Sequence, residues 1–310
     1  MMILSPETYF STPSAATIGC FDGVHRGHQL LVKMMVCQAR QRGLKPIAVT
    51  FDRLPRQLFD PTFHPQLLST LEEKTACLKE LGVDEVIVLP FTHQLADLSA
   101  ETFMREILRD RLSVELLVTG YDNRFGHDRN EGFADYVRYG QHLGIEVVRG
   151  DVAKMDDQMA VSSTVIRQLL AEEGKVEAML DVLTRSYTLS GHVVSGEHIG
   201  HELGFPTANL KPDSKEKLIP ASGAYAVWSI VDGHRMPAMM NIGTRPTFEG
   251  KLQTLEVHIL KEVGNLYGKS MTVEFVHRLR AEQRFDTREA LIAQLEHDRQ
   301  MTEEILLNDK

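Results

Sequence analysis

A chain of 310 residues, 43% of them hydrophobic and 25% charged, has room for two domains and an ordinary globular balance. Its 34 basic and 43 acidic residues give a formal net charge of -9, which argues against a nucleic-acid surface but leaves room for a local phosphate pocket. Three cysteines (Cys20, Cys37, Cys77) without CxxC spacing argue against a disulfide framework or zinc site and make a reducing cytoplasm the default, and no apolar run is long enough to span a membrane.

Taken in chain order, Ala15-Ala16-Thr17-Ile18 reads as a short buried strand. The segment 29–42 carries Leu30, Leu31, Met34 and Cys37 at helical spacing. Between them, Gly19-Cys20-Phe21-Asp22-Gly23-Val24-His25-Arg26-Gly27-His28 is a strand-to-helix turn. Gly19 and Gly23 allow positive φ and close backbone approach. His25 and His28, three apart, share one face of the first helical turn. A helix N-terminus offers free N–H groups and the positive end of its dipole. Two imidazole donors beside it suit a polyphosphate. The plainer alternative is a helix start with two solvent histidines.

Strands and helices then alternate. Strands are expected over 46–51, 85–89, 115–119 and 145–148, and helices over 72–81, 100–111, 132–143 and 163–173. This series predicts a parallel sheet covered on both faces, with ligands outside the carboxyl ends of the strands. Three loops lie at such ends: one over 50–55, one containing Tyr121-Asp122-Asn123-Arg124-Phe125-Gly126, and one containing Ser162-Ser163-Thr164-Val165-Ile166-Arg167. In the last, Ser162 or Ser163 can cap a helix, and Arg167 in its first turn could hold phosphate bidentately. A plain serine cap with a surface arginine is the alternative.

Near 174–185 the pattern changes to short strands over 187–195, 224–231, 236–242, 255–260 and 271–275, which suggests a small antiparallel barrel. A helix comes after them, with Asp286 expected as its N-cap and Glu289 at N3. Glycines 196, 200 and 204 would let backbone N–H groups approach phosphates. Thr207 and Asn209, two apart on an extended segment, share a face and are hard oxygen ligands suited to Mg²⁺. The competing reading is a glycine-rich barrel turn. Glu256 and His258 also share a face in an otherwise apolar strand, where a carboxylate is uncommon. Glu256 is either a general base for an attacking hydroxyl or part of a structural salt bridge.

These motifs, in this order and over essentially the whole chain, resemble the bacterial bifunctional riboflavin kinase/FMN adenylyltransferases, also called FAD synthetases. The resemblance rests on 19–28, Leu68-Ser69-Thr70, Leu89-Pro90-Phe91, 121–129 and 162–167 in the first half. In the second it rests on 204–209, 241–248, 255–258, Leu266-Tyr267-Gly268 and 282–286. It implies a Rossmann-like nucleotidyltransferase domain over 1–185 and a small antiparallel β-barrel riboflavin kinase domain with a C-terminal helix over 186–310. It implies ATP as co-substrate, riboflavin, FMN and FAD as substrates and products, Mg²⁺ as cofactor, and neither a nucleic-acid nor a membrane partner.

By the same resemblance, His25 and His28 serve adenylyl transfer. Gly19, Phe21, Asp22, Gly23, Ser162, Ser163, Thr164 and Arg167 would bind ATP phosphates there, and Gly196, Gly200, His201 and Gly204 would bind them at the kinase site. Asp122, Asn123, Arg124, Phe125, Arg280, Glu282 and Phe285 are assigned to flavin, Thr207 and Asn209 to Mg²⁺, and Glu256 to the base. Departures from the family pattern are His201 where many members have Arg or Lys, Lys261 where many have Asp, and Asn123 where an aromatic residue is common. Two rivals are a single-activity FMN adenylyltransferase carrying a flavin-binding barrel and a flavin-binding regulator whose catalytic sites have lapsed.

Overall fold

The computed structural model describes residues 1–5, 8–121, 124–127, 131–150, 162–196, 203–247 and 250–309. The chain divides into two compact units, Met1–Ser162 and Ser163–Lys310.

The strands of the first unit are β1 (Met2–Ile3), β2 (Ser14–Ile18), β3 (Lys45–Phe51), β4 (Glu85–Leu89), β5 (Val114–Thr119) and β6 (Glu146–Arg149). They form one parallel sheet in the order β1-β4-β3-β2-β5-β6. Successive strand residues point to opposite faces, so apolar strands feed two cores. Ala16, Ile47 and Ile87 pack with Phe103, Met104 and Tyr136 on one face. Ala15, Ala48 and Val86 pack with Leu31, Met35 and Leu78 on the other.

Helix α1 (Arg26–Gln41) turns Leu31, Val32, Met35 and Ala39 inward. Leu30 and Cys37, expected in that stripe, face solvent instead, because the 31, 35, 39 row is the one that meets the sheet. Helices α2 (Pro55–Phe59), α3 (Leu71–Glu80), α4 (His93–Ala96), α5 (Ala100–Phe103) and α6 (Phe133–Leu143) come next. Of these, α3, α5 and α6 bury residues in the covering layers, while the short α2 and α4 bury none. The helix expected over 100–111 is α-helical only in α5. Over Met104–Arg109 it widens to π-type bonding, with Asp110 N donating to Arg105 O. Over so few residues the two helix types place apolar side chains alike, so periodicity does not separate them.

The second unit begins with α7 (Ser163–Ala171) and α8 (Met179–Val182). Leu170 O accepts from Ala221 N at 2.9 Å and Glu173 O from Arg278 Nη1 at 2.7 Å, which fasten this helical segment to the rest of the unit. Strands β7 (Tyr187–Val194), β8 (Ala208–Pro212), β9 (Gly223–Val231), β10 (His234–Thr247), β11 (Gly250–Ile259) and β12 (Ser270–Ala281) close into a barrel in the order β10-β11-β8-β7-β12-β9. Strands β10, β11 and β12 run longer than their apolar cores suggest, because ladder pairing continues through polar residues.

The barrel alternates cleanly. Leu255, Val257 and Ile259 are buried in its interior, so Glu256 and His258 point to the outer face. Helix α9 (Arg288–Asn308) packs against β9, β10 and β12. Its N-cap is Thr287, not Asp286: the Thr287 hydroxyl accepts from Ala290 N at 3.1 Å. Glu289 is therefore at N2, and no capping box forms there.

Candidate functional sites

In the first unit the site grows from the end of β2. Phe21 (φ 49°), Gly23 (φ 80°) and Val24 (φ 42°) all take left-handed backbone conformations. Each such non-glycine residue costs about 1–3 kcal/mol and persists only when its surroundings over-determine it. Here Phe21 and Val24 are buried. Asp22 Oδ1 accepts from Leu68 N at 2.9 Å and Ser69 N at 3.1 Å. Gly23 N donates to Ser69 Oγ at 2.9 Å, and Gln29 Nε2 to Val24 O at 3.0 Å. The Asp22 carboxylate, expected at phosphate, is thus buried and fastens the turn.

The turn delivers His25 as the N-cap of α1 and His28 one turn on. Their rings stack with centroids 3.7 Å apart and planes at 22°, and Phe21 meets His28 edge-on at 5.3 Å. They are one built object rather than two solvent histidines: His25 is buried, and His28 is half-buried with its Nδ1 shut off from solvent and without a hydrogen-bond partner. Burial, then His25, then Lys74 push the His28 pKa down to about 3. Because the folded value lies below the unfolded one, stability is whole near pH 7 and is lost as pH falls below about 6.5. Acidification from pH 7 to 5 is expected to cost the first unit about 2 kcal/mol through this residue. Thermal melts at the two pH values check this, and His28→Gln should flatten the difference.

The Phe125 ring stacks on Tyr136 at 4.2 Å, and Phe125 N donates to the Tyr136 hydroxyl at 3.0 Å. Arg124 is exposed. A Cβ on Gly19 would lie 3.1 Å from the Phe21 ring. Asp122, Asn123, Gly200 and His201 lie outside the described residues. Ser163, Thr164 and Arg167 stand on the first turns of α7, with Ser162 immediately before it, while Ile166 and Leu170 face inward.

The second site lies on the outer face of the barrel, in a cavity of about 320 Å³ walled by Leu291 and Leu295 of α9. Glu256, half-buried on β11, stands opposite Asn209 on β8 and Asn241 on β10. Thr207, just before β8, lines the same cavity. A Cβ at position 196 would fall 2.0 Å from Asn209 Nδ2, so Gly196 is what lets the Asn209 amide lie there. His258 donates from Nδ1 to Pro206 O at 2.8 Å and meets Phe205 at 5.3 Å, which anchors the segment leading to Thr207. Burial pushes the His258 pKa down.

Also lining the cavity, Arg280 pairs with Asp298 of α9 at 2.8 Å, the side chains 15% and 3% exposed. Gln294 Nε2 adds a bond to Asp298 Oδ1 at 2.8 Å, and the Arg280 guanidinium lies 5.6 Å from the Phe285 ring centroid. Glu282 accepts from Thr244 N at 3.2 Å. Gly204 holds a positive φ of 83° in the loop before Phe205. Among the described residues no cluster of three His, Cys, Asp or Glu side chains forms a metal site. The hard oxygens of Thr207, Asn209 and Glu256 are the donor set available to a small divalent cation.

Sequence reasoning misses Asp298 and Lys74. Both break an apolar stripe: Asp298 falls in the row Leu291, Leu295, Thr302, and Lys74 in the row Leu71, Thr75, Leu78. A charge on a buried helix face is the signal that identifies them.

Comparisons with known proteins match two stretches of the chain to two family models. Residues 8–165 match the family model described as FAD synthetase, and residues 183–306 the one described as riboflavin kinase. A bifunctional riboflavin kinase/FMN adenylyltransferase of Escherichia coli (strain K12) is 36% identical over 283 residues, which cover 91% of this chain and 89% of that one. A protein of the same name from Pseudomonas fluorescens is 38% identical over 277 residues, covering 89% and 88%. A crystal structure titled a macrolide-efflux protein from Streptococcus pneumoniae superimposes with a TM-score of 0.89 at 29% identity, covering 97% of this chain and 98% of that one.

Proposed function

The chain belongs to the bifunctional riboflavin kinase/FMN adenylyltransferase family, and from that premise we propose which residues perform each of its two reactions. It phosphorylates riboflavin with ATP to FMN and ADP, and it adenylylates FMN with ATP to FAD and pyrophosphate. The observation that carries the residue assignment is that each unit holds its own built site. The His25–His28 stack is in one, and Glu256 between Asn209 and Asn241 is in the other. We place the boundary between the two activities near Arg185 and the enzyme in the cytoplasm.

In the kinase reaction, the apolar cavity wall takes the isoalloxazine ring, with Arg280, Glu282 and Phe285 lining the same cavity. The ribityl 5′-hydroxyl reaches Glu256. The Glu256 carboxylate accepts the hydroxyl proton as the oxygen bonds to the γ-phosphorus, and the bond from that phosphorus to the β–γ bridging oxygen breaks, releasing ADP. Thr207 and Asn209 would hold Mg²⁺, which when bound neutralises charge on the ATP phosphates. Gly196, Gly200, His201 and Gly204 are assigned to those phosphates.

In adenylyl transfer, an FMN phosphate oxygen attacks the α-phosphorus of ATP, and the bond to the α–β bridging oxygen breaks with departure of pyrophosphate. No covalent enzyme intermediate is needed, so the protein supplies position and electrostatics. A neutral His28 with Nδ1 buried and unpartnered keeps its proton on Nε2, which donates to the charge that develops on phosphate. We assign Ser162, Ser163, Thr164 and Arg167 to ATP phosphates on their sequence motif, Ser163, Thr164 and Arg167 belonging to the second unit. Flavin is held through the 122–125 segment.

Incubating the purified chain with riboflavin, ATP and Mg²⁺ and resolving flavins by chromatography is expected to show FMN and then FAD. A folded chain that makes neither overturns the assignment. FAD from supplied FMN, with no FMN from riboflavin, supports the single-activity alternative.

A further inference from the structure

Lys74, on α3 of the first unit, is 8% exposed. Its ammonium reaches back under the opening turn. Nζ donates to Thr50 Oγ1 at 2.9 Å, to Cys20 O at 3.0 Å and to Phe51 O at 3.3 Å. Thr50, fully buried, itself donates to Cys20 O at 3.3 Å. One cation thus ties the first residue after Gly19 to the carboxyl end of β3. All three partners are neutral oxygens. Burying an ammonium is costly even with the Asp22 and Asp52 carboxylates acting on it, and a methionine of similar length would fill the space without that cost.

The place it holds is the strained one. The residues just beyond Cys20 carry the left-handed backbone of Phe21, Gly23 and Val24. The same stretch, 68–74, supplies further fastenings: the Leu68 and Ser69 amides on Asp22, and Ser69 Oγ on Gly23 N. Below the two histidines, bonds from strand ends and from this segment join the Gln29 bond to Val24 O in holding the turn.

We propose that Lys74 is a positioning residue for adenylyl transfer, holding the Cys20 carbonyl and the β3 terminus so that His25 and His28 present their imidazoles in a single arrangement. This rests on the reading that His25 and His28 serve that reaction. The groups that face His28 are His25 from the turn and Lys74 from α3. Cys20, Asp22 and Asp52 in turn face Lys74.

The test is Lys74→Met in the full chain, with both activities measured. kcat for FAD formation from FMN is expected to fall about 10- to 100-fold, the scale of a small misplacement of reacting groups. KM for ATP and FMN should move less than about threefold, and riboflavin phosphorylation should not change. By nuclear magnetic resonance the His28 imidazole should titrate at higher pH than in the parent, since a neighbouring positive charge has been removed. Adenylylation within about twofold of the parent, or a loss confined to KM, overturns the proposal.

If Lys74→Met does not fold, Thr50→Val removes one partner of the ammonium at nearly constant volume. A kcat fall of about 3- to 10-fold with unchanged KM supports the proposal, and a parental kcat overturns it. His28→Ala separates the two claims. If it spares adenylylation, the reading of the histidines fails. If it abolishes adenylylation while Lys74→Met does not, only the role of Lys74 fails.

Discussion

Glu256→Gln is expected to lower kcat for riboflavin phosphorylation by about 10²- to 10⁴-fold, the range for loss of a positioned general base, while FAD formation from supplied FMN stays within about twofold. The substitution keeps size and polarity and removes the negative charge together with the capacity to take a proton. It fits the local structure, because Glu256 stands between Asn209 and Asn241 on its neighbouring strands, and a third amide can hydrogen-bond in that row. A fall in kcat therefore reports loss of the carboxylate rather than collapse of the barrel. The measurement is initial-rate production of FMN from riboflavin, with KM for riboflavin tracked in parallel. A variant with parental kcat removes Glu256 as the base. A variant that loses both activities while folded removes the two-site division.

Glu256 was legible because alternation exposes it. In Leu255-Glu256-Val257-His258-Ile259 the apolar residues are the barrel interior, so the polar pair must share the outer face. What alternation does not reveal is which outer face is covered. Helix α9 covers this one, bringing Leu291, Leu295 and Asp298 from about forty positions along the chain, and no local pattern encodes that docking. The same limit explains the helix start. Asp286 and Thr287 are adjacent residues that both suit an N-cap, and tertiary placement of the helix selects Thr287. In the first unit spacing alone puts His25 and His28 on one face of the helix start and leaves open whether they serve phosphate. The clamp beneath them cannot be read that way, since Asp22 looks like a ligand-facing carboxylate until its two backbone donors at 68 and 69 are seen.

His28→Ala is expected to do the reverse of Glu256→Gln. FAD formation should fall by about 10²- to 10³-fold in kcat, the scale for removing one preorganised donor from a developing charge, with riboflavin phosphorylation unchanged. The ring it deletes stacks on His25 at 3.7 Å and meets Phe21 at 5.3 Å, so the loss includes the support that His25 receives. A double substitution decides how much. If the two imidazoles act as one unit, His25→Ala with His28→Ala should be little worse than the poorer single variant. If each donates independently, the two losses should multiply. The pH profile adds a second check. With the His28 pKa of the free chain pushed down to about 3, the imidazole stays neutral across the working range, so kcat/KM for adenylyl transfer should carry no acid limb from His28 between about pH 5 and 8. A basic limb in that interval, with activity falling as pH rises, that disappears in His28→Gln would show that the protonated imidazole, not the neutral one, meets the phosphate.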